Sequence, residues 1–285
     1  MPAPPSDARS LEGRVVSVRP SGGDGVILRL ALEKRLPPLR AARFFMLRRE
    51  DRLSPAIPRP FSLYREAEGG ELEFMIKVMG PGTRALAQST PGTQLRVIGP
   101  LGNGWPALEG GGAPWVMLAG GIGSAPFHMA IEQALAGMDG KRACKPGEIV
   151  YLYGAAKADL LYELEAFRDL GVAVHTCTMD GSSGKKGHVL QLLEELQGAG
   201  KIPKKVRLLA CGPEKMLEAV EKHARKHALE CWLSLETLMG CGVGICNGCP
   251  VPTLPDGPMG SWSNAKCCVE GPVFKTDAIT LCGTH

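Results

Sequence analysis

Cys241, Cys246 and Cys249 stand at C-x4-C-x2-C spacing in the run Gly240-Cys241-Gly242-Val243-Gly244-Ile245-Cys246-Asn247-Gly248-Cys249, and a Cys267-Cys268 pair follows. Three thiolates at that spacing, joined by a fourth from a distant segment, hold a [2Fe–2S] cluster in the plant-type ferredoxin pattern. The glycines let a loop wrap such a cluster and aim backbone N–H groups at its sulfurs, hydrogen bonds that help to set its potential. Zinc is the competing ion, but zinc knuckles usually present two C-x2-4-C halves and only one fits here. A disulfide framework suits short secreted chains rather than one of 285 residues. A one-electron centre needs groups that feed and drain it.

Four further stretches carry suitable residues. In Arg59-Pro60-Phe61-Ser62-Leu63 the arginine suits a pyrophosphate, the aromatic can pack on a flavin ring and the serine can hydrogen-bond the ring's edge. Strand alternation is expected to put Arg59 and Phe61 on one face and Ser62 on the other. Taken alone this pentapeptide reads as an ordinary edge strand. It gains weight beside Lys77-Val78-Met79-Gly80-Pro81-Gly82-Thr83-Arg84, where a strand ends in a glycine turn and Thr83–Ser89 looks helical, a place where backbone N–H groups can meet an anion. Gly120-Gly121-Ile122-Gly123-Ser124 follows an apolar run; it lacks the full G-x-G-x-x-G fingerprint but sits between strand and helix, where a pyrophosphate belongs. Cys211-Gly212-Pro213 ends another strand, and its thiol is either near a nicotinamide ring or merely a buried small residue. His223 and His227 share a helix face without a supporting carboxylate or cysteine motif and read as a solvated face.

The bulk composition narrows the class. Hydrophobic residues make up 44% and charged residues 22%, ordinary for a globular protein. The net charge of +4 is spread out, with only short groups at Lys201–Lys205 and Lys222–Lys226, so no nucleic-acid footprint is present. Met1–Asp7 lacks a basic start and an apolar core, and the apolar stretch Trp115–Met138 is broken by glycines, Pro126, His128 and Glu132; neither a signal peptide nor a membrane span is expected, and the expected location is the cytoplasm.

The elements that must position these residues fall into three parts. Over 1–108, six short strands (Arg14–Val18, Val26–Leu32, Arg43–Arg48, Pro60–Tyr64, Leu72–Val78 and Gln94–Ile98) predict a small antiparallel barrel. Over 109–232, strands Trp115–Ala119, Ile149–Tyr153, Val172–Thr176 and Lys205–Ala210 alternate with helices Ala125–Ala136, Ala158–Leu170, His188–Gln197 and Pro213–His227, predicting an α/β domain on a parallel sheet. Residues 233–285 form the cysteine-bearing segment.

The order Arg-Pro-Phe-Ser-Leu, Gly-Pro-Gly-Thr, Gly-Pro-Leu-Gly-Asn-Gly, Gly-Gly-Ile-Gly-Ser-Ala-Pro and Cys-Gly-Pro-Glu-Lys-Met-Leu resembles the ferredoxin–NADP reductase superfamily. Ser234-Leu235-Glu236, the Met239–Cys249 run and Cys268-x-x-Gly271-Pro272-Val273-Phe274 narrow the resemblance to the electron-transfer subunits of class 1B dihydroorotate dehydrogenases, over about Gly13 to Phe274. The resemblance implies FAD on the barrel, NAD on the α/β domain and a [2Fe–2S] cluster on the tail. It also implies a heterotetramer, two of each, with an FMN-containing catalytic subunit, and electrons passing from that FMN through the cluster and FAD to NAD⁺ in pyrimidine (UMP) biosynthesis. Arg59, Pro60, Phe61, Ser62, Met75, Ile76, Lys77, Gly82 and Thr83 would hold FAD; Gly120, Gly121, Gly123, Cys211, Gly212 and Pro213 would serve the nicotinamide nucleotide. Cys241, Cys246, Cys249 and Cys268 would be the cluster ligands, Cys268 standing in the family's place three residues before Gly271 and leaving Cys267 spare. No acid–base residue is assigned to this chain.

Departures from the pattern are few. A proline-rich loop of eighteen residues between Cys249 and Cys268 is longer than the family's, Phe61 replaces the superfamily's common tyrosine, and Leu281–His285 matches no motif. NAD is expected over NADP because Gly154–Asp159 offers no arginine for a 2′-phosphate, only Lys157; Asp180 is a turn residue that the family pattern shares, and the resemblance would place it near that cofactor. Two rivals stand beside this reading. One is the reductase subunit of a related flavoprotein with another partner, of the NADH-dependent ferredoxin:NADP oxidoreductase or sulfide dehydrogenase type. The other is a non-catalytic, metal-stabilised interaction protein.

Overall fold

A computed structural model describes residues 7–51 and 55–281; the other positions, including most of the N-terminal stretch and of the C-terminal pentapeptide discussed above, lie outside the described residues. Six antiparallel strands, β1 (Arg9–Gly22), β2 (Gly25–Leu32), β3 (Phe44–Arg49), β4 (Arg59–Glu66), β5 (Leu72–Lys77) and β6 (Gln94–Leu101), close a barrel in the order β1-β2-β5-β4-β3-β6. Alternation buries Val15, Ile27, Phe45, Leu63, Phe74, Ile76 and Val97 among the residues of its interior. The short helix α1 (Pro81–Ala87) fills the connection between β5 and β6. All six expected strands are present, β1 extending well past the expected Arg14–Val18 at both ends.

The second part alternates as expected: β7 (Trp115–Gly120), α2 (His128–Ala136), β8 (Ile149–Ala155), α3 (Leu164–Arg168), β9 (Ala173–Thr178), β10 (Lys185–Lys186), α4 (Val189–Gly198), β11 (Arg207–Cys211), α5 (Glu214–Lys226) and β12 (Glu230–Ser234). The tail adds a two-stranded hairpin, β13 (Pro250–Pro252) with β14 (Asn264–Lys266), and then β15 (Val273–Lys275). The large sheet runs β10-β9-β8-β7-β11-β12-β15, parallel except for the antiparallel β12–β15 pair. The cysteine-bearing segment therefore leaves this sheet at β12 and returns to it at β15. The boundary drawn at 232 lies inside β12.

Two expected helices differ. The one expected over Ala125–Ala136 begins as a 3-10 turn, Gly121–Phe127, with Pro126 inside it, before the α-helix proper. The one expected over Ala158–Leu170 is broken into a 3-10 turn at Ala158–Leu160 and α3. Glu163 interrupts it in the left-handed region (φ 53°). There its N–H donates to Ser21 of the barrel at 3.1 Å and its carboxylate takes both Arg19 N–H groups at 2.7 and 2.6 Å. A tertiary contact wins over local helix propensity.

Among the contacts that hold the barrel to the sheet are the Arg19–Glu163 pair, Trp105 stacked on Phe127 at 5.4 Å with its indole N–H on the Pro126 carbonyl, and Gln133 bracketing Leu39 and Ala41. The tail is held twice. Asn103, after β6, binds the backbone of Glu270 and Val273, while Arg225 of α5 donates to the carbonyls of Thr276 and Ile279. Among the described residues no helix is long and apolar enough to cross a membrane.

Candidate redox site

A cavity of about 230 Å³ opens where all three parts meet. Pro60, Phe61 and Ser62 of β4, Met75 and Lys77 of β5 and Thr83 of α1 line its barrel side. Ile122, Ala125, Pro126 and Cys211 line its sheet side, and Leu235, Glu236, Thr237 and Met239 enter from the tail. Phe61 and Ser62, neighbours on β4, both border the cavity. β4 keeps an even register with β3 from Arg59 to Ser62, and its pairing with β5 begins only at Leu63.

The other barrel candidates are placed around this opening. The Arg59 side chain lies over Gly82: a Cβ on Gly82 would sit 3.4 Å from its Nε. Thr83 Oγ1 accepts the N–H groups of Met79 and Gly80 at 2.9 and 3.1 Å and so fixes the turn. Ile76 is fully buried in the barrel, so only its backbone can serve a ligand.

Cys211 is buried at the end of β11, and burial raises its thiol pKa, with the charge of Glu236 adding and Ser234 opposing. Glu236 is open to the cavity yet surrounded by protein, and desolvation holds its carboxyl above the usual range. A hydroxyl (Ser62), a neutral thiol and a reluctant carboxylate thus face one space, a set able to hold or move a proton at a ring edge. Glu236 and Thr237 were not among the expected site residues. The only signal was that Ser234-Leu235-Glu236 belongs to the family motif.

A second cleft of about 350 Å³ lies at the carboxyl ends of β7, β8, β9 and β11, lined by Gly120, Gly121, Gly154–Ala156, Met179, His188, Pro213 and Met216. Open α/β sheets bind ligands there. Gly123 and Gly212 lie beneath rather than along it. A Cβ on Gly123 would stand 2.5 Å from the Cys211 carbonyl, so glycine lets the β7 and β11 turns approach each other. Lys77 lines both spaces and so ties them together.

The thiols lie just beyond the first cavity, since Met239 lines it and Cys241 follows two residues on. Cys249 and Cys268 bring their sulfurs to 3.3 Å, and Cys241 Sγ accepts the N–H groups of Val243 and Cys246 at 3.4 and 3.5 Å. Desolvation would raise the Cys241 thiol, but the surrounding N–H groups outweigh it and bring its pKa down to about 6. Burial pushes Cys268 up to about 12, the Cys249 sulfur adding to the rise; a bound cation is what turns such thiols into thiolates. Cys267 points elsewhere, its sulfur 3.8 Å from the Leu235 carbonyl. Gly242 and Gly244 adopt φ of 73° and 83°, and a Cβ on Gly242 would strike Met46 of β3 at 2.6 Å, so the loop lies directly on the barrel. Among the described residues no three ligating side chains already converge on one metal position. Four thiols, inward N–H groups and a glycine-bent loop nevertheless form a donor set suited to iron and sulfide.

Residues 236–280 match the family described as the iron-sulfur cluster binding domain of dihydroorotate dehydrogenase B, and residues 117–222 match the oxidoreductase NAD-binding domain. The chain is similar to the dihydroorotate dehydrogenase B (NAD(+)) electron transfer subunit of Bacillus pumilus, 32% identical over 245 residues covering 85% of this chain and 86% of that one. The corresponding subunit of Lysinibacillus sphaericus is 33% identical over 241 residues, covering 84% and 86%. Among solved structures, an NADH-dependent reduced ferredoxin-NADP oxidoreductase involved in flavin-based electron bifurcation superposes with a TM-score of 0.75 at 24% identity, covering 93% of this chain and 89% of that one, a likeness of fold.

Proposed function

Because this chain belongs to the electron transfer subunits of dihydroorotate dehydrogenase B, we propose that it carries electrons between a dihydroorotate-oxidising catalytic subunit and NAD⁺ in pyrimidine biosynthesis. The observation that carries this reading is the adjacency of the sites: one cavity is walled by the barrel strand, the β11 thiol and the start of the cysteine loop. When bound, a flavin joins the hydride-pair chemistry of a nicotinamide to the one-electron chemistry of a cluster.

The residues divide the work. Arg59, placed over Gly82, supplies the cation for the FAD pyrophosphate; Pro60–Ser62, Met75 and the backbone of Ile76-Lys77 frame the ring, with Gly82-Thr83 holding the turn beside them. Ser62, Cys211 and Glu236 orient the ring edge and hold a proton there. Gly120, Gly121 and Pro213 receive NAD, with Gly123 and Gly212 keeping the floor of that cleft thin. Lys157 is held by Asp159 at 2.8 Å, which leaves it poorly placed to clamp a 2′-phosphate and favours NAD. Cys241, Cys246, Cys249 and Cys268 take the [2Fe–2S] cluster. In this division 1–108 serves FAD, 109–232 NAD and 233–285 the cluster.

The partner reading is an FMN-containing catalytic subunit in a heterotetramer, working in the cytoplasm. Leu238 and Ile245 flank the thiols with 90% and 81% of their surface exposed, apolar groups that a partner subunit would cover. The test is to purify the chain with its natural partner and assay dihydroorotate-dependent NAD⁺ reduction without oxygen. Turnover that disappears in Cys249→Ser while FAD is retained supports the proposal. NADH-driven dye reduction with no turnover of dihydroorotate would keep the reductase and reject the partner.

A further inference from the structure

Lys266 ends β14, immediately before the Cys267-Cys268 pair, and its ammonium reaches back across the tail to donate to the Gly244 carbonyl at 2.9 Å. That carbonyl opens the peptide unit whose other end is the Ile245 N–H, and the Ile245 N–H is one of the donors that face the Cys241 sulfur. The Gly244 N–H faces the Cys268 sulfur. One residue of the loop thus touches both sides of the thiol set, and a single lysine holds it. The lysine is itself fixed from behind. Its N–H donates to Glu270 Oε2 at 2.6 Å, and its carbonyl accepts the N–H groups of Val269 and Glu270, both at 3.0 Å. Position 244 admits only glycine, since its φ is 83° and a Cβ there would lie 2.6 Å from Val269 Cγ2, which packs close against it.

A cation on a carbonyl oxygen draws charge toward it and makes the N–H at the far end of the same peptide a stronger donor. Hydrogen bonds to the sulfurs and nearby net charge are two of the levers that set an iron–sulfur potential. Lys266 applies both at once, through the 244–245 peptide and by its own charge in a half-buried position where solvent screens it incompletely.

We infer that Lys266 is a positioning residue that raises the potential of the tail's cluster, stabilising the reduced form with its extra negative charge. It touches no reacting atom. The inference rests on the iron–sulfur reading above and goes beyond it by naming what tunes that site.

The experiment is a potentiometric titration of the purified holoprotein followed by EPR, comparing the parent with Lys266→Arg and Lys266→Gln. Glutamine keeps a donor for the Gly244 carbonyl and removes the charge. The expected result is a negative shift in Lys266→Gln equivalent to an about three- to tenfold fall in the one-electron equilibrium constant, the tenfold end being 59 mV, with Lys266→Arg close to the parent. Coincident potentials for parent and Lys266→Gln would overturn the inference. So would a Lys266→Gln protein that holds no cluster while Lys266→Arg holds it normally, because the lysine would then serve loop assembly only. Failure of the underlying iron–sulfur reading is seen separately, as the absence of a cluster spectrum in the parent.

Discussion

Asn103 and Val273 exchange two hydrogen bonds: the Asn103 Nδ2 donates to the Val273 carbonyl at 2.8 Å and the Val273 N–H donates to Asn103 Oδ1 at 3.1 Å. The same Nδ2 reaches the Glu270 carbonyl at 2.8 Å. A side chain at the end of the barrel thus takes the place of a neighbouring strand for the segment that follows the fourth candidate thiol. In Asn103→Ala these backbone groups lose their partner in a half-buried place, at a cost of about 1–3 kcal/mol. Amide exchange at Val273 and its neighbours is expected to quicken, with slower exchange in β1–β5 unchanged. Equal protection in parent and variant would show that the clamp does not hold the tail.

The adjacent cysteines are expected to part company. Cys268 meets Cys249 sulfur to sulfur, whereas Cys267 turns toward the Leu235 carbonyl. Cys267→Ser should keep the iron and sulfide content and the visible spectrum of the parent, and Cys268→Ser should lose them. The opposite pattern would move the fourth ligand to Cys267.

Arg59 stands over the glycine turn of α1, beside Gly82, and its guanidinium donates to the Ile57 carbonyl. Removing a charged hydrogen-bond donor to a phosphate costs about 1.5–3 kcal/mol, or about ten- to a hundredfold in affinity. Arg59→Ala is expected to weaken FAD binding by that factor, read from flavin released on dilution, while the thiol segment keeps its spectrum. Unchanged flavin affinity would place the pyrophosphate elsewhere.

His223, expected on a solvated face, is instead only 9% exposed, and it gives the fold a dependence on pH. Desolvation, then the neighbouring His227 ring at 4.6 Å, lowers its pKa from 6.5; Glu194 at 3.6 Å opposes them and Lys226 adds to them. A folded-state pKa below the unfolded one means that the unfolded chain binds the proton first as pH falls. The contribution is therefore fully present above pH 6.5 and is lost as pH drops through the lower folded value. Denaturation midpoints measured from about pH 8 to about pH 5 should fall more steeply for the parent than for His223→Gln. Parallel curves would remove His223 from this role.

Much of the architecture was legible because its signals are local. The barrel strands are short apolar runs between glycine- and proline-bearing turns, β1 and β6 opening with period-two burial, and the thiol loop is marked by spacing that no packing requirement imposes. What escaped depends on contacts distant in sequence. Glu163 breaks a well-patterned helix because Arg19 and Ser21 hold it from the barrel. β12 and β15, five and three residues long, are strands only because β11 offers an edge to β12 and β12 in turn offers one to β15. Glu236 is an exposed carboxylate, and that it borders the cavity follows only from where the barrel, the sheet and the tail meet.

The central claim is that one chain joins a nicotinamide site, a flavin and a cluster into a single electron path. The most direct measurement is an anaerobic NADH titration of the purified protein followed together by visible absorbance and EPR. The account predicts that flavin bleaching is accompanied by the signal of a reduced [2Fe–2S] cluster, and that Cys249→Ser bleaches the flavin without that signal. A parent protein whose flavin is reduced while an intact cluster stays oxidised would contradict it, as would one that NADH leaves unchanged.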